Sequence, residues 1–342
     1  MRPAQPAKAA AEPFGKQDMA GALMPPEWAP QDWLWIGFPH LAQEWPGFLE
    51  AAQRQIAAFA NAVADSGQEV RLIVRDEANQ TRAQELVSQA VTLEQRVYGD
   101  IWLRDTGPLV RSDKTALRPR FNGWGQKYEM LGDETIGDDL AQSADLPVET
   151  ADYVLEGGAI DGDGTGLVVT TQQCLLNPNR NSSMNANDIE AVLREDLGFD
   201  RVLWLGEGLI NDHTDGHVDN LARFVGPNRL VIPEAFGRDD PNAAIYDDAK
   251  HRAETFGVEV ICIPSPGLIL RDGAIEPASY VNFAITTNAV IVPTFGSDQD
   301  EAGVAAIAAL FPDRETIGLP ANAVLAGGGG FHCASQQMPR LL

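Results

Sequence analysis

The chain has 342 residues with 25 basic against 49 acidic side chains, a formal net charge of −24. So acidic a balance speaks against a nucleic-acid partner, since phosphate binding needs a basic surface; it suits a small cationic ligand drawn in by the field, although it also serves plain solubility. No stretch approaches the roughly 20 apolar residues that span a bilayer, and Cys174, Cys262 and Cys333, without a CxxC pair, argue against a disulfide framework or a finger-like zinc site and for a reducing, cytoplasmic setting.

Met1–Ala20 mixes Ala, Pro and charges, lacks the apolar segment of a secretory signal and reads as a disordered or loosely packed tail; 21–342 reads as a single domain. Asp32–Pro39 is expected as a buried strand. Gln43–Asp65 is expected as a helix with Phe48, Ile56, Phe59 and Val63 on one face, stopped at Ser66-Gly67. Val70–Val74 reads as a strand, Gln80–Ala90 as a helix, and Asp100–Val110 as a strand ending in Thr-Gly-Pro. After a loop-rich segment with Phe121-Asn122-Gly123-Trp124-Gly125, the stretches Tyr153–Gly158 and Gly166–Thr171 look like paired strands turning at Asp161–Gly164. Asn187–Leu197 and Asn242–Phe256 read as helices, and Asp300–Leu310 as an Ala-rich one. Strands are expected at Val202–Leu205, His217–Val225, Leu230–Ile232, Val258–Ile263, Val281–Thr286 and Ala289–Pro293. Strands and helices alternate with a recurrence of about sixty residues, which fits one repeat-built α/β domain.

The stretch around which the chemistry gathers is Gly327-Gly328-Gly329-Gly330-Phe331-His332-Cys333. Glycines let the backbone turn freely and let a ligand approach closely, and a cysteine just beyond them is a candidate nucleophile. A lone cysteine would otherwise be read as a buried thiol. In Thr214-Asp215-Gly216-His217-Val218-Asp219-Asn220, a strand would send His217 and Asp219 to one side. Trp102-Leu103-Arg104-Asp105-Thr106-Gly107-Pro108 offers Asp105 with an aromatic wall, and Leu155-Glu156-Gly157-Gly158 a carboxylate beside uncluttered backbone. Singly, each of these has an ordinary reading as a turn, a cap or a solvated acid. Together they fit one chemistry. A guanidinium is a planar, permanent cation with N–H groups in fixed forks. Two carboxylates can grip it, which leaves its central carbon open to a thiolate, while a histidine protonates the departing amine and a third carboxylate orients that histidine.

These strings, with Met24-Pro25-Pro26-Glu27-Trp28, Phe121-Asn122-Gly123-Trp124-Gly125 and Leu175-Leu176-Asn177-Pro178-Asn179-Arg180-Asn181, run in order over nearly the whole chain and resemble the agmatine deiminase family. The resemblance implies a pentein-type, guanidine-modifying fold: an α/β propeller of five ββαβ-like units around a central site. It implies hydrolysis of agmatine to N-carbamoylputrescine and ammonia, an entry to putrescine, with no metal or cofactor. Carried over by motif, Cys333 would be the nucleophile, His217 the acid and then the base, and Glu156 the group that orients His217. Asp105 and Asp219 would hold the guanidinium, and Trp102 and Trp124 would line the pocket. A homodimer is the family habit. His332, the direct neighbour of Cys333, is expected to point away and to be structural, and Cys174 and Cys262 to be core residues at strand ends. The sequence departs from the family at Gly330, where a polar residue is usual, at Phe331, where an Ile-like one is, and at the variable position His213; these are expected near the far end of the substrate. Deimination of peptidyl or modified arginine, amidino transfer to an amine, a retired guanidinium-binding module and a thiol protease are the competing readings.

Overall fold

Short β-branched runs such as Leu167–Thr171 and Ala289–Thr294 are buried on both faces, and each takes its neighbours in the same way. The computed structural model describes residues 24–341, so the expected tail Met1–Ala20 lies outside the described residues. Ala116–Arg120 pairs antiparallel with Leu109–Val110 and parallel with Val148–Val154. Leu167–Thr171 does the same with Asp161–Gly162 and Arg201–Leu205, Arg229–Glu234 with Arg223–Gly226 and Glu259–Pro264, and Ala289–Thr294 with Ala284–Ile285 and Glu315–Pro320. In the remaining large sheet, Gln31–Gly37 pairs antiparallel with Ser335–Pro339 and parallel with Glu69–Val74, and Val91–Gln95 adds a fourth strand. The first and last described strands are therefore neighbours. A small hairpin, Leu270–Arg271 with Ala274–Ile275, stands apart.

A parallel pair cannot be joined by a tight turn and needs a crossover. Every one of these parallel pairs encloses a helix: Leu49–Asp65, Ile136–Ser143, Ala186–Leu197, Ala243–Phe256 and Asp300–Leu310. Local chemistry sets their ends. Asn185 and Asp188 form a reciprocal capping box, and Gly198 and Gly257 close their helices at φ +76° and +96°. The first helix begins at Leu49, later than expected, because Pro46 and the left-handed Gly47 (φ +76°) interrupt the preceding turns. It buries Ile56, Phe59 and Val63 in a core shared with Leu34, Trp35, Ile36 and Phe331. The result is a mixed α/β architecture. Among the described residues no helix is long and apolar enough to cross a membrane.

Several expected strands are shorter or different. Asp100–Val110 contains the helical turn Leu103–Thr106, closed by Thr106 N–H on the Trp102 carbonyl (3.2 Å) and Gly107 N–H on Leu103 (2.8 Å), with strand only at Leu109–Val110. His217–Val225 opens with the 3₁₀ turn Val218–Asn220 and becomes strand at Arg223. Tyr153 and Val154 are the last residues of a strand paired with Ala116–Arg120, and the antiparallel partner of Leu167–Thr171 is Asp161–Gly162. Gln80–Ala90 is replaced by a helix over Glu77–Gln84, because Asp76 caps it by accepting from Asn79 N–H. The expected strand Val281–Thr286 is reduced to Ala284–Ile285, and Val91–Gln95, Ala116–Arg120, Ile136–Ser143 and Glu315–Pro320 were not expected at all.

Candidate active site

The turns that replaced the expected strands carry the functional side chains. Asp105 sits in the helical turn Leu103–Thr106, Glu156 immediately precedes the 3₁₀ turn Gly157–Ala159, and His217 and Asp219 bracket the start of the turn Val218–Asn220. Gly158 marks where they meet. Its N–H donates to Asp105 Oδ1 at 2.9 Å. A Cβ built on it would lie 2.6 Å from His217 Nδ1, 2.8 Å from Asp105 Oδ1 and 3.1 Å from Asp219 Oδ2. The Glu-Gly-Gly string is thus a carboxylate followed by the gap that three other side chains fill.

Cys333 Sγ lies 3.3 Å from Asp219 Oδ2 and 3.0 Å from Asn282 Nδ2. Asn282 was not singled out in the sequence, being hidden in the apolar run Tyr280-Val281-Asn282-Phe283; its Oδ1 accepts from the N–H groups of His332 (3.1 Å) and Cys333 (3.3 Å), fixing the turn. Burial, with Asp219 and Asp105 close by, pushes the Cys333 thiol well above its ordinary range. Burial also disfavours a charged His217, but Asp105 and the Cys174 thiol outweigh it and hold the imidazole well above its usual value. His217 Nδ1 is 3.6 Å from Asp105 Oδ1, so the contact is charge proximity without a hydrogen bond. Burial raises Asp105 in turn, with the His217 charge opposing.

Arg180, also not singled out, crosses behind the site with its side chain fully buried. It donates from Nε to Glu156 Oε1 (2.7 Å), from Nη1 to Asp215 Oδ2 (2.6 Å) and from Nη2 to the Thr214 carbonyl (2.8 Å). Cys174 is buried as expected, but in the short helix Gln172–Leu175, where it joins Glu156 and His217; one donor atom from each lies within 4.8 Å of the others. Among the described residues this is the one such trio able to share an ion, and the Arg180 guanidinium on Glu156 opposes a cation there. Cys262 lies half-buried within the strand Glu259–Pro264.

A cavity of about 110 Å³ reaches this centre, with Cys333 and Asp105 in its lining and Trp102, Trp124 and Gly327–Gly329 as walls. Trp124 is held in the left-handed region (φ +53°), rare for a bulky residue, while its indole N–H donates to Asp105 Oδ2 at 2.8 Å and its ring packs edge-on against Phe121 and Tyr128. Glu44, Asp100, Tyr128 and the exposed His213 line the outer part. Asp219, His217 and Glu156 are fully buried behind Cys333 and Asp105. Asp219 Oδ1, Glu156 Oε2 and both His217 ring nitrogens have no hydrogen-bond partner. Buried polar groups are rarely left so.

Residues 23–339 match the Porphyromonas-type peptidyl-arginine deiminase family. The chain belongs to this family. An agmatine deiminase of Stutzerimonas stutzeri is 36% identical, the alignment covering 93% of this chain and 96% of that protein. The solved agmatine deiminase of Enterococcus faecalis superposes with a TM-score of 0.89 at 27% identity, covering 94% of this chain and 97% of its own. A cysteine-to-serine variant of the Campylobacter jejuni agmatine deiminase with substrate bound superposes at 0.87 and 28% identity, covering 97% and 100%. The resemblance drawn from the sequence motifs is borne out.

Within this family, two of the sequence departures have structural causes away from the substrate's far end. A Cβ on Gly330 would collide with Asn282 Oδ1, and Phe331 is fully buried, stacked on Phe59 with ring centroids 4.7 Å apart. Only His213 lines the cavity. His332 does not point away either. Residues 331–334 form a turn, with Ala334 N–H on the Gly330 carbonyl (3.1 Å), and this carries the imidazole under Asp219.

Proposed function

We propose that the protein hydrolyses agmatine to N-carbamoylputrescine and ammonia, feeding putrescine formation. The reading rests chiefly on Asp219 Oδ1, a buried acceptor without a partner on the carboxylate that touches the Cys333 thiol, a demand that a flat cation rich in N–H groups meets. In it, Asp105 and Asp219 grip the guanidinium from the side, and the arriving positive charge offsets the two carboxylates that keep Cys333 protonated, so that the thiolate forms as substrate binds. Sulfur attacks the central carbon, a C–S bond forms, and the C–N bond to one terminal nitrogen breaks as His217 gives that nitrogen its proton. Neutral His217 then takes a proton from water, whose oxygen adds to the same carbon; the C–S bond breaks and returns the thiolate, and the new C–OH gives its proton to solvent as the urea carbonyl forms. Glu156, anchored by Arg180, keeps His217 in place. Trp102 and Trp124 sandwich the path. The five repeated sheet-and-helix units support a pentein-type propeller formed by residues 21–342 as one catalytic domain, with the site at the inner turns.

The cavity lining contains acids, aromatics, glycines and His213, and neither Arg nor Lys. An α-carboxylate would enter without a cationic partner, whereas a second ammonium would meet Glu44 and Asp100. Ammonia release should therefore favour agmatine over free arginine by a kcat/KM ratio of about 100-fold or more, the scale at which unpaired polar groups discriminate, with peptidyl-arginine and a diguanidine completing the panel. Activity confined to arginine peptides would replace agmatine as the substrate.

Asp100 makes a second expectation. Burial pushes its carboxyl up to about 7 against the Ile101 N–H that it accepts, with Asp133 and Glu44 adding to the rise. A carboxyl with so raised a value is neutral below that pH and charged above it, and the substrate's ammonium seeks the charged form. The KM for agmatine is expected to fall as pH rises through about 7, and Asp100→Asn to flatten that dependence in steady-state assays.

A further inference from the structure

The Met24-Pro25-Pro26-Glu27-Trp28 string has no part in the chemistry above, yet it delivers a buried carboxylate to the underside of the site. Glu27 is 5% exposed. Its Oε1 accepts from the Ile285 N–H at 2.8 Å, and its Oε2 takes a guanidinium N–H of Arg223. Against the upward push of burial, Arg223 and His332 hold it ionised, below the usual carboxylate range. The same Oε2 lies 3.1 Å from His332 Nε2, and His332 Nδ1 lies 2.8 Å from Asp219 Oδ2. Beyond Asp219 come Cys333 Sγ at 3.3 Å and the unpartnered Oδ1. The order Glu27, His332, Asp219 thus ends at the atoms that would receive the guanidinium.

His332 Nδ1 is within hydrogen-bond reach of Asp219 Oδ2 and Nε2 faces Glu27 Oε2 as a close charge contact, so a ring that carries a proton on each nitrogen suits both neighbours. A charge-assisted donor is stronger and more directional than a neutral one. It pins Oδ2 and stops the Asp219 carboxylate from rotating, which leaves Oδ1 as the acceptor offered to substrate. It also places a positive charge behind an acid that otherwise faces Asp105 and the thiol.

We propose that Glu27 and His332 are positioning residues that fix the orientation of Asp219 for the guanidinium. The inference rests on the functional reading above, and turnover of agmatine by native protein checks that reading separately. His332→Gln can still reach Glu27 from the Nε2 side but removes the donor at Asp219; His332→Asn keeps a donor at the Nδ1 position and breaks the link to Glu27. His332→Gln should raise KM and lower kcat for agmatine, with kcat/KM down by about 10- to 100-fold, the worth of one charge-assisted hydrogen bond; His332→Asn should lose less. The decisive readout is the rate at which Cys333 is alkylated by 2-chloroacetamidine, a planar cation, relative to neutral iodoacetamide. That ratio should fall by about 10-fold or more in His332→Gln and stay near native in His332→Asn. A native ratio and native KM in His332→Gln, with only a lowered melting temperature, would reduce His332 to packing and overturn the proposal. If His332→Gln does not fold, native protein labelled with ¹⁵N-histidine decides. Two slowly exchanging ring N–H signals on His332 are expected, and a single one would overturn the proposal. Native protein that alkylates with the expected preference but leaves agmatine intact would displace the substrate and leave the positioning role standing.

Discussion

Cys333→Ser is expected to bring ammonia release from agmatine down by on the order of 10⁴-fold or more, the scale seen when a covalent nucleophile is removed, while the fold and the binding of agmatine survive. The sulfur's polar neighbours are Asn282 Nδ2 and Asp219 Oδ2, and a serine hydroxyl can hydrogen-bond both, so the turn that carries it keeps its anchors. What serine lacks is an accessible anion. Even the thiol is pushed up by burial and by Asp219 and Asp105, and in the proposed mechanism only the arriving cation releases its proton; an alcohol, far less acidic, remains protonated and is a poor nucleophile without a stronger base. Asp105 and Asp219 still grip the guanidinium, so calorimetry should show agmatine binding to the serine variant near native strength. Native turnover by the serine form would remove Cys333 from the mechanism. Loss of binding together with turnover would mean that the thiol supports the pocket and does no chemistry.

Arg180→Met should cost about 3–5 kcal/mol of stability, the expected penalty for leaving one side of a buried ion pair uncompensated. The Arg180 guanidinium is wholly buried and divides its donors between Glu156, Asp215 and the Thr214 carbonyl. Asp215 retains Lys127 at 2.6 Å and Asn179 at 2.9 Å. Glu156 retains nothing, since its other oxygen is already without a partner. Urea unfolding with an unchanged m-value would measure the loss, and kcat should fall as well, because Glu156 would relax away from His217. Arg180→Lys should recover part of the stability, since it restores the charge without the fork that reaches four acceptors, Asn179 Oδ1 among them. An unfolding midpoint for Arg180→Met at the native value would show that the Arg180–Glu156 pair does not support the fold, and the account of His217 would have to change with it.

The sequence named the side chains that gather at the candidate site better than it named the backbone that holds them. Cys333, His217, Asp219, Asp105 and Glu156 announced themselves because a thiol, an imidazole and three acids beside glycines are uncommon neighbours, and the structure brings all five around one spot. The segments of Asp105, Glu156, His217 and Asp219 read as strands because alternating apolar and polar residues look the same in a strand and in a single helical turn. The bonds that decide, such as Thr106 N–H on the Trp102 carbonyl, span only a few residues and leave no period to detect. The reversal at His332 has the same source. Arg180 stood in a string quoted for the resemblance, but its purpose exists only once Glu156 and Asp215 reach it from elsewhere in the chain. Asn282 passed as filler in an apolar run. The strands Val91–Gln95 and Glu315–Pro320 escaped notice because they lie half-exposed at the sides of their sheets and carry polar side chains.

The pairing of Gln31–Gly37 with Ser335–Pro339 is a seam between opposite ends of the described chain, and Cys333 lies just outside it. Among the strand pairings of the described residues it closes the longest loop, at the largest chain-entropy cost of any. Until that seam closes, nothing in the pairing of the other sheets fixes the segment that brings the sulfur to Asp219.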